Sequence, residues 1–286
     1  MKPYGNKVLI VQGLTEKNIE PTLLKQFWHP CMATVKRWAE RSGFVYKYFS
    51  DRRNEEFDIT PWNTKRRADR DQTTINQFHK LQWMDGWSDY DFVFWIDSDC
   101  YAWGDPQFQI FSTVTNPSLL FLYNDEVVLR RWRRPVMSVW GGHQSKVQEA
   151  VDWARYQFEN PDDQDEIVQA LRCLNRYPLT NDDNLKGMAS DLTEEVFMIG
   201  YTHPREDESI IFLTEGQKFT SIGKSSGSWT HDSFVHFGGD TKHRQLTRFR
   251  AYLAYMAHIS QATPKDYGDE WSYEHIRSSI FPPNDL

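Results

Sequence analysis

The sequence has few cysteines, no long apolar run and no excess of positive charge. Its three cysteines, Cys31, Cys100 and Cys173, are far apart and odd in number, which argues against a disulfide framework and favours a reducing compartment. The longest apolar runs, such as 92–96 and 119–123, are far shorter than the ~20 residues that a membrane-spanning helix needs. The net charge of −7 argues against a protein that coats nucleic acid as a whole. We therefore expect a soluble, cytoplasmic protein with no membrane partner.

Strand-like and helix-like segments alternate in the first part of the chain. This order predicts an α/β fold with a mostly parallel central sheet and helices on both faces. The predicted strands of this part are 7–13, 44–49 and 91–96, and the predicted helices are 23–41 and 73–87, with a polar loop at 52–70. The second part is more irregular, with strands at 119–123, 136–140 and 219–222 and helices at 146–158, 163–175, 191–201 and 244–259. We expect one domain over residues 1–286.

The strand at 91–96 runs directly into Asp97, Ser98 and Asp99. Ligands of a parallel sheet bind beyond the carboxyl ends of its strands, so both carboxylates are expected at a ligand site. Hard divalent cations prefer oxygen ligands, and Mg²⁺ commonly takes one or two protein carboxylates together with substrate phosphates. Asp and Ser are also frequent in turns, so a strand-end turn without a metal is the alternative.

A second motif lies late in the chain, where residues 234–242 read Phe-Val-His-Phe-Gly-Gly-Asp-Thr-Lys. His236, Gly239 and Lys242 fit the pattern His-x-x-Gly-x-x-Lys. A neutral imidazole suits Mn²⁺ as well as Mg²⁺-type sites, a glycine lets the backbone approach a phosphate, and a lysine supplies a point charge. The alternative is an ordinary strand-end histidine beside a Gly-Gly turn.

Together the two motifs resemble those of GT-A glycosyltransferases, especially the glycogenin-like and xyloglucan xylosyltransferase-like families. The resemblance implies one GT-A (Rossmann-like) domain, with a nucleotide-binding half at 1–100 and an acceptor-binding half at 101–286. It implies metal-dependent transfer of a sugar from a nucleotide-sugar donor, by default a UDP-sugar, to a hydroxyl acceptor. Asp97, Asp99 and His236 would then bind Mn²⁺ or Mg²⁺.

The resemblance also implies a donor site around the first two strand ends and the Asp-x-Asp segment. Lys80 matches a basic residue that those families place on the preceding helix, facing the donor sugar, although lysines are mostly solvated surface residues. The expected donor-binding residues are Gln12, Gly13, Leu14, Asp51, Lys80, Ser98, Gly239 and Lys242.

Two acidic segments are candidates for the base that deprotonates the acceptor. Asp191, Glu194 and Glu195 resemble the x-Glu-Asp motif of inverting GT-A enzymes, with Glu195 where that motif has Asp. The same segment is a capping box that opens a helix, which is the structural alternative. A rival candidate, 162–165, resembles the Asp-Gln-Asp segment of the glycogenin-like family. The His-x-x-Gly-x-x-Lys match favours retention and the 191–195 match favours inversion, so the stereochemistry stays open.

An arginine-rich segment around Trp132 precedes two glycines at 141 and 142. A solvated loop is the simplest interpretation, but Arg pairs with phosphates and Trp can stack on a base. We expect an acceptor site formed by Arg131, Trp132, Arg133, Trp140, Gly141 and Gly142, with the Gly-Gly pair in a loop. The acceptor could be a glycan, a protein or a hydroxymethylated base in phage-type DNA, the last implying a virus-encoded protein acting in a host cytoplasm.

Two other classes fit the sequence less well. A metal-dependent nuclease or phosphatase would need bridging carboxylates beyond Asp97 and Asp99. A non-catalytic carbohydrate- or nucleic-acid-binding module could use the many aromatic residues, but it would not call for two aspartates at a strand end together with a distant His-Gly-Lys motif.

Overall fold

A computed structural model describes 7–14, 16, 19–50, 80–103, 120–129, 132–160, 163, 165–166, 198, 200–202, 210–214, 219–221, 233–237, 245–247 and 249–250. Its strands are β1 (Val8–Leu14), β2 (Val45–Ser50), β3 (Phe92–Ile96), β4 (Cys100–Trp103), β5 (Leu120–Leu129), β6 (Trp132–His143), β7 (Ile210–Thr214), β8 (Phe219–Ser221) and β9 (Ser233–His236). Its helices are α1 (Pro21–Leu23), α2 (His29–Arg41) and α3 (Gln144–Glu159), with a π-helical segment at Leu24–Trp28. None of the described helices is long and apolar enough to cross a membrane.

The chain divides into two compact units. The first contains 1–15, 42–97 and 109–215, and the second contains 16–41, 98–108 and 216–286. The first unit holds a six-stranded sheet in the order β2-β1-β3-β6-β5-β7. The pairs β2–β1, β1–β3 and β5–β7 are parallel, and β6 is antiparallel to both β3 and β5. The predicted α/β fold with a mostly parallel central sheet is confirmed.

The core of the first unit follows from two periodicities in the sequence. Leu9 and Val11 of β1, like Val93 and Trp95 of β3, alternate along their strands and lie in one buried cluster. The face of α3 that joins them repeats at helical spacing and consists of Val147, Ala150, Val151 and Ala154. The intervening residues Val8, Ile10, Phe92 and Phe94 are also buried. Both β1 and β3 are therefore covered on two faces, as parallel central strands usually are.

Strand β6 corrects the prediction of a Gly-Gly loop. Gly141 and Gly142 lie inside this strand, where Gly141 pairs with Phe94 of β3 and Phe121 of β5. Gly141 has a φ of 147°, and a Cβ there would be 2.2 Å from the Val93 carbonyl oxygen. The glycine is required by the backbone conformation and by the close approach of β3, not by a turn.

Two other predicted elements differ from the structure. The helix expected at 73–87 ends at Trp83 in the described residues, and Gly86 follows with a φ of 81°. The arginine-rich segment is not a loop throughout, because β6 already begins at Trp132 and Arg134 pairs with Asp125 of β5. The loop at 52–70, most of the helices at 163–175 and 191–201, and the end of the helix at 244–259 lie outside the described residues.

The second unit contains a three-stranded sheet in the order β4-β9-β8, with β4 antiparallel and β8 parallel to β9. Trp38 of α2 packs edge-to-face on Phe234 of β9 with ring centroids 4.8 Å apart. Thr34 of α2 links the helix to β4, since its hydroxyl accepts a hydrogen bond from the Ala102 N–H at 2.9 Å. These contacts fix β4 and β9, the strands that adjoin Asp99 and contain His236.

Candidate functional site

The backbone of Asp97 is held on two sides as it leaves β3. Its N–H donates to the Ser138 carbonyl of β6 at 2.7 Å. Its own carbonyl accepts from the Gln12 side chain of β1 at 3.0 Å, and Gln12 in turn accepts from the Tyr46 hydroxyl of β2 at 2.9 Å. Bonds from the two neighbouring strands, β6 and β1, therefore fix the point at which the chain leaves the sheet, and β2 in turn holds Gln12.

The carboxylate of Asp97 is clamped by two donors of the first unit. The Lys80 ammonium lies 2.9 Å from Oδ1, and the Trp95 indole N–H donates to the same oxygen at 2.6 Å. Only 20% of the Lys80 side chain and 15% of the Asp97 side chain are exposed. Charge-assisted bonds of this kind are stronger than neutral ones, and they leave the Asp97 charge largely compensated. Lys80 thus forms an ion pair with Asp97. This contact places the helix before β3 beside the carboxyl end of that strand.

Asp99 and His236 meet within the second unit because β4 pairs with β9. Cys100 is the register partner of His236, and the Phe237 N–H donates to the Asp99 carbonyl at 3.2 Å. The Nε2 atom of His236 lies 3.4 Å from Oδ1 of Asp99. The other oxygen, Oδ2, accepts from the Gln245 carboxamide at 3.1 Å. Two residues from separate sequence motifs therefore come within contact distance.

These atoms fit a divalent cation. Within the second unit, Asp99 offers a carboxylate oxygen and His236 a ring nitrogen as possible ligand atoms. Two ligands at ~2.1 Å from an ion are about 3.0 Å apart at a right angle and about 3.4 Å apart at a tetrahedral angle. The 3.4 Å between Asp99 and His236 falls at that upper value. A carboxylate and an imidazole are ligands that a divalent cation such as Mn²⁺ accepts.

The remaining predicted donor residues that the structure describes are mostly buried. Gln12 is 0% and Ser98 is 8% exposed. A Cβ at Gly13 would lie 2.2 Å from the Trp83 ring, so the absence of a side chain there accommodates packing in the first unit. Any contact of Gly13 with a donor would have to use its backbone. Leu14 ends β1 and is half-buried.

The predicted acceptor residues that the structure describes all lie in β6. Trp140 is 1% exposed and belongs to the core cluster of the first unit. Gly141 and Gly142 are strand residues, and Trp132 and Arg133 belong to the backbone of β6. Outside the described residues lie Asp51, Arg131, Asp191, Glu194, Glu195, Gly239 and Lys242.

Three polar neighbours of the candidate site were not predicted. Trp95 has a sequence signal, because residues two apart in a strand share a side and Trp95 precedes Asp97 by two. Gln245 has none, since nothing local connects it with Asp99. The Cys31 thiol is the third: burial, and after it the charge of Asp99, raise the pKa of Cys31 well above its usual value.

The solved structures to which this chain is similar include three structures of glycosyltransferases. One is a glycosyltransferase involved in the glycosylation of the major capsid of PBCV-1, with 14% identity, a TM-score of 0.44, and 86% of this chain and 99% of that chain covered. Another is the galactosyltransferase LgtC in complex with donor and acceptor sugar analogs, with 11% identity, a TM-score of 0.45, and 92% and 98% covered. An active-site mutant of LgtC gives 12% identity, a TM-score of 0.46, and 93% and 99% covered. No protein-family model and no curated protein sequence matches the chain.

Proposed function

We propose that this chain is a metal-dependent glycosyltransferase, which transfers a sugar from a nucleotide-sugar donor to a hydroxyl acceptor. The observation that carries the proposal is the 3.4 Å contact between Asp99 and His236. Each residue belongs to a separate motif that resembles GT-A enzymes, and a chance resemblance would not require the two motifs to meet. We propose Asp97, two residues before Asp99 in the sequence, as the third ligand.

The chemistry required is displacement at the anomeric carbon. A new bond forms between that carbon and the acceptor oxygen, while the bond to the nucleoside diphosphate breaks and the diphosphate leaves with its electron pair. When bound, Mn²⁺ or Mg²⁺ supplies positive charge next to that leaving group. Asp97, Asp99 and His236 would hold the ion. We propose Asp191, Glu194 or Glu195 as the group that accepts the acceptor proton.

A UDP-sugar is the donor that we propose, on the resemblance of the two motifs alone. The contacts of Asp97 affect how the diphosphate of such a donor would bind. Lys80 and Trp95 compensate the Asp97 carboxylate, whereas Asp99 contacts an imidazole and a neutral amide. We infer that Lys80 adds positive charge beside a bound diphosphate.

The proposal is tested by a screen of nucleotide sugars for donor hydrolysis, with and without Mn²⁺. We expect one donor to be hydrolysed in a metal-dependent manner, and UDP with Mn²⁺ to raise the melting temperature more than UDP alone. Asp99→Asn should abolish hydrolysis and leave the melting temperature nearly unchanged, because an asparagine oxygen can still accept from Gln245. Asp152→Asn, on α3 in the first unit, is the matched control and should retain activity. Donor hydrolysis by Asp99→Asn at the full rate would refute the proposed role of the metal.

The acceptor is proposed only as a hydroxyl compound. A hydroxymethylated base in DNA is one candidate, supported by the arginines and tryptophan at 130–134 in the sequence. Binding of duplex DNA in a gel-shift assay should then weaken steeply with added salt, since lysine and arginine contacts release counterions. No shift at low salt would direct the search to glycans and proteins.

A further inference from the structure

The two oxygens of the Asp99 carboxylate have different partners within the second unit. Oδ1 lies 3.4 Å from Nε2 of His236, and Oδ2 accepts a hydrogen bond of 3.1 Å from the Gln245 carboxamide. Only 14% of the Asp99 side chain is exposed, so water competes weakly for either oxygen. One oxygen is thus held by a residue outside both sequence motifs, while the other faces the second candidate ligand.

The chemistry of the two side chains decides which of Gln245 and Asp99 donates the hydrogen bond. An ionised carboxylate only accepts hydrogen bonds, so Gln245 must present its NH₂ group to Asp99. The terminal torsion of an aspartate is broad, and without a partner the carboxylate could rotate away from His236. A neutral amide restrains this rotation without cancelling the negative charge that attracts a cation. Gln245 differs in this respect from Lys80, which brings a positive charge to Asp97.

Gln245 itself is firmly placed. It begins the described helical segment 245–247, whose next residue, Leu246, is 7% exposed. Phe249, one turn further along, is 1% exposed and packs on Phe237 with ring centroids 5.2 Å apart. Phe237 directly follows His236. The packing that anchors the Gln245 segment therefore also anchors the strand end that carries the histidine.

We propose that Gln245 is a positioning residue that orients Asp99 toward His236 and thereby sets the affinity of this chain for a divalent cation. The inference rests on the proposed metal-dependent function. Hydrogen-bond partners that orient metal ligands are typically worth about 10- to 100-fold in metal affinity. We expect a loss of this size when the amide donor is removed and the shape of the side chain is kept.

The test is calorimetric titration of the full chain with Mn²⁺, using the unsubstituted protein, Asp99→Asn, Gln245→Met and Gln148→Met. Gln148 is the matched control, because its amide also donates to carboxylates, those of Asp85 and Asp152, in the first unit. We expect Gln245→Met to bind Mn²⁺ about 10- to 100-fold more weakly and Gln148→Met to bind it unchanged. Equal affinity in Gln245→Met and the unsubstituted protein would overturn the inference.

The titration also separates this inference from the proposed function. If the unsubstituted chain binds no Mn²⁺, or if Asp99→Asn binds it equally well, the proposed metal site itself fails. Saturating Mn²⁺ should restore the kcat of donor hydrolysis in Gln245→Met, because the metal ligands are still present. Only the KM for Mn²⁺ should stay raised. A lower melting temperature with unchanged metal affinity would show a purely structural role and refute positioning. Gln245→Ala repeats the comparison should Gln245→Met not fold.

Discussion

Replacement of Gly141 by alanine tests whether this glycine serves the sheet or an acceptor. Gly141 has a φ of 147°, in a region that residues with a side chain rarely adopt. A Cβ would lie 2.2 Å from the Val93 carbonyl oxygen and 2.7 Å from the Phe94 Cα atom. Both are backbone atoms of β3, so neither can rotate aside, and relief requires β3 and β6 to move apart.

The cost of this substitution can be worked out from two terms. A non-glycine residue in such a backbone conformation costs about 1–3 kcal/mol, and overpacking costs about 1–3 kcal/mol more. The sum is centred near 4 kcal/mol. With an unfolding entropy of about 2.1 cal/mol/K per residue over 286 residues, ~4 kcal/mol lowers the melting temperature by about 7 °C.

Gly43→Ala is the matched control. Gly43 has a φ of 73°, but no atom lies within 4 Å of the Cβ that alanine would add. Only backbone strain of about 1–2 kcal/mol is expected there. Urea denaturation followed by circular dichroism measures both free energies of unfolding. Equal losses in the two variants would refute the packing argument, and an unchanged Gly141→Ala stability with a raised acceptor KM would restore the acceptor role.

Three further perturbations address the site and its surroundings. Lys80→Met should bind Mn²⁺ more tightly, because an ammonium 2.9 Å from Asp97 repels a dication, and weaker binding by calorimetry would contradict this. Trp95→Phe keeps an aromatic ring but removes the N–H bond of 2.6 Å to Asp97, so urea denaturation should show a loss of about 1.5–3 kcal/mol, and no loss would argue against that bond. Because the pKa of Cys31 is raised by burial and then by Asp99 above its ordinary 9.0, the folded chain keeps a proton that the unfolded chain loses above that pH. This thiol should therefore leave the free energy of unfolding unchanged below about pH 9 and lower it as the pH rises further. In urea titrations, Cys31→Ala should lessen the fall in the free energy of unfolding between about pH 8 and about pH 10. An identical fall in both proteins would contradict the assignment.

The sequence was most informative where structure is local. The strand predicted at 91–96 and the helix predicted at 146–158 agree with β3 and α3 to within two residues, since period and composition mark them. Asp99 of the Asp-x-Asp motif and His236 of the His-x-x-Gly-x-x-Lys motif lie 3.4 Å apart. The roles assigned to its residues remain predictions.

Features that depend on distant pairing were not predictable in this way. Gly-Gly usually marks a turn, and only the approach of β3 explains why Gly141 belongs to a strand. Strand β7 was missed although Ile210–Thr214 is apolar, because its pairing partner β5 lies far away in the sequence. The bond from Gln245 to Asp99 spans 146 positions and has no local signature.

The π-helical segment at Leu24–Trp28 constrains how the length of this chain can vary. Pro30 has no N–H to donate to the carbonyl four residues earlier, and the wider turn, with the His29 N–H bonded to the Leu24 carbonyl, accommodates it. A π-helical turn holds about one residue more than an α-helical turn, so deleting one residue here can be absorbed by a return to α-helical bonding. Pro30 opposes that return because it has no N–H to donate. We expect homologous chains to differ by one residue in this segment mainly where Pro30 is replaced.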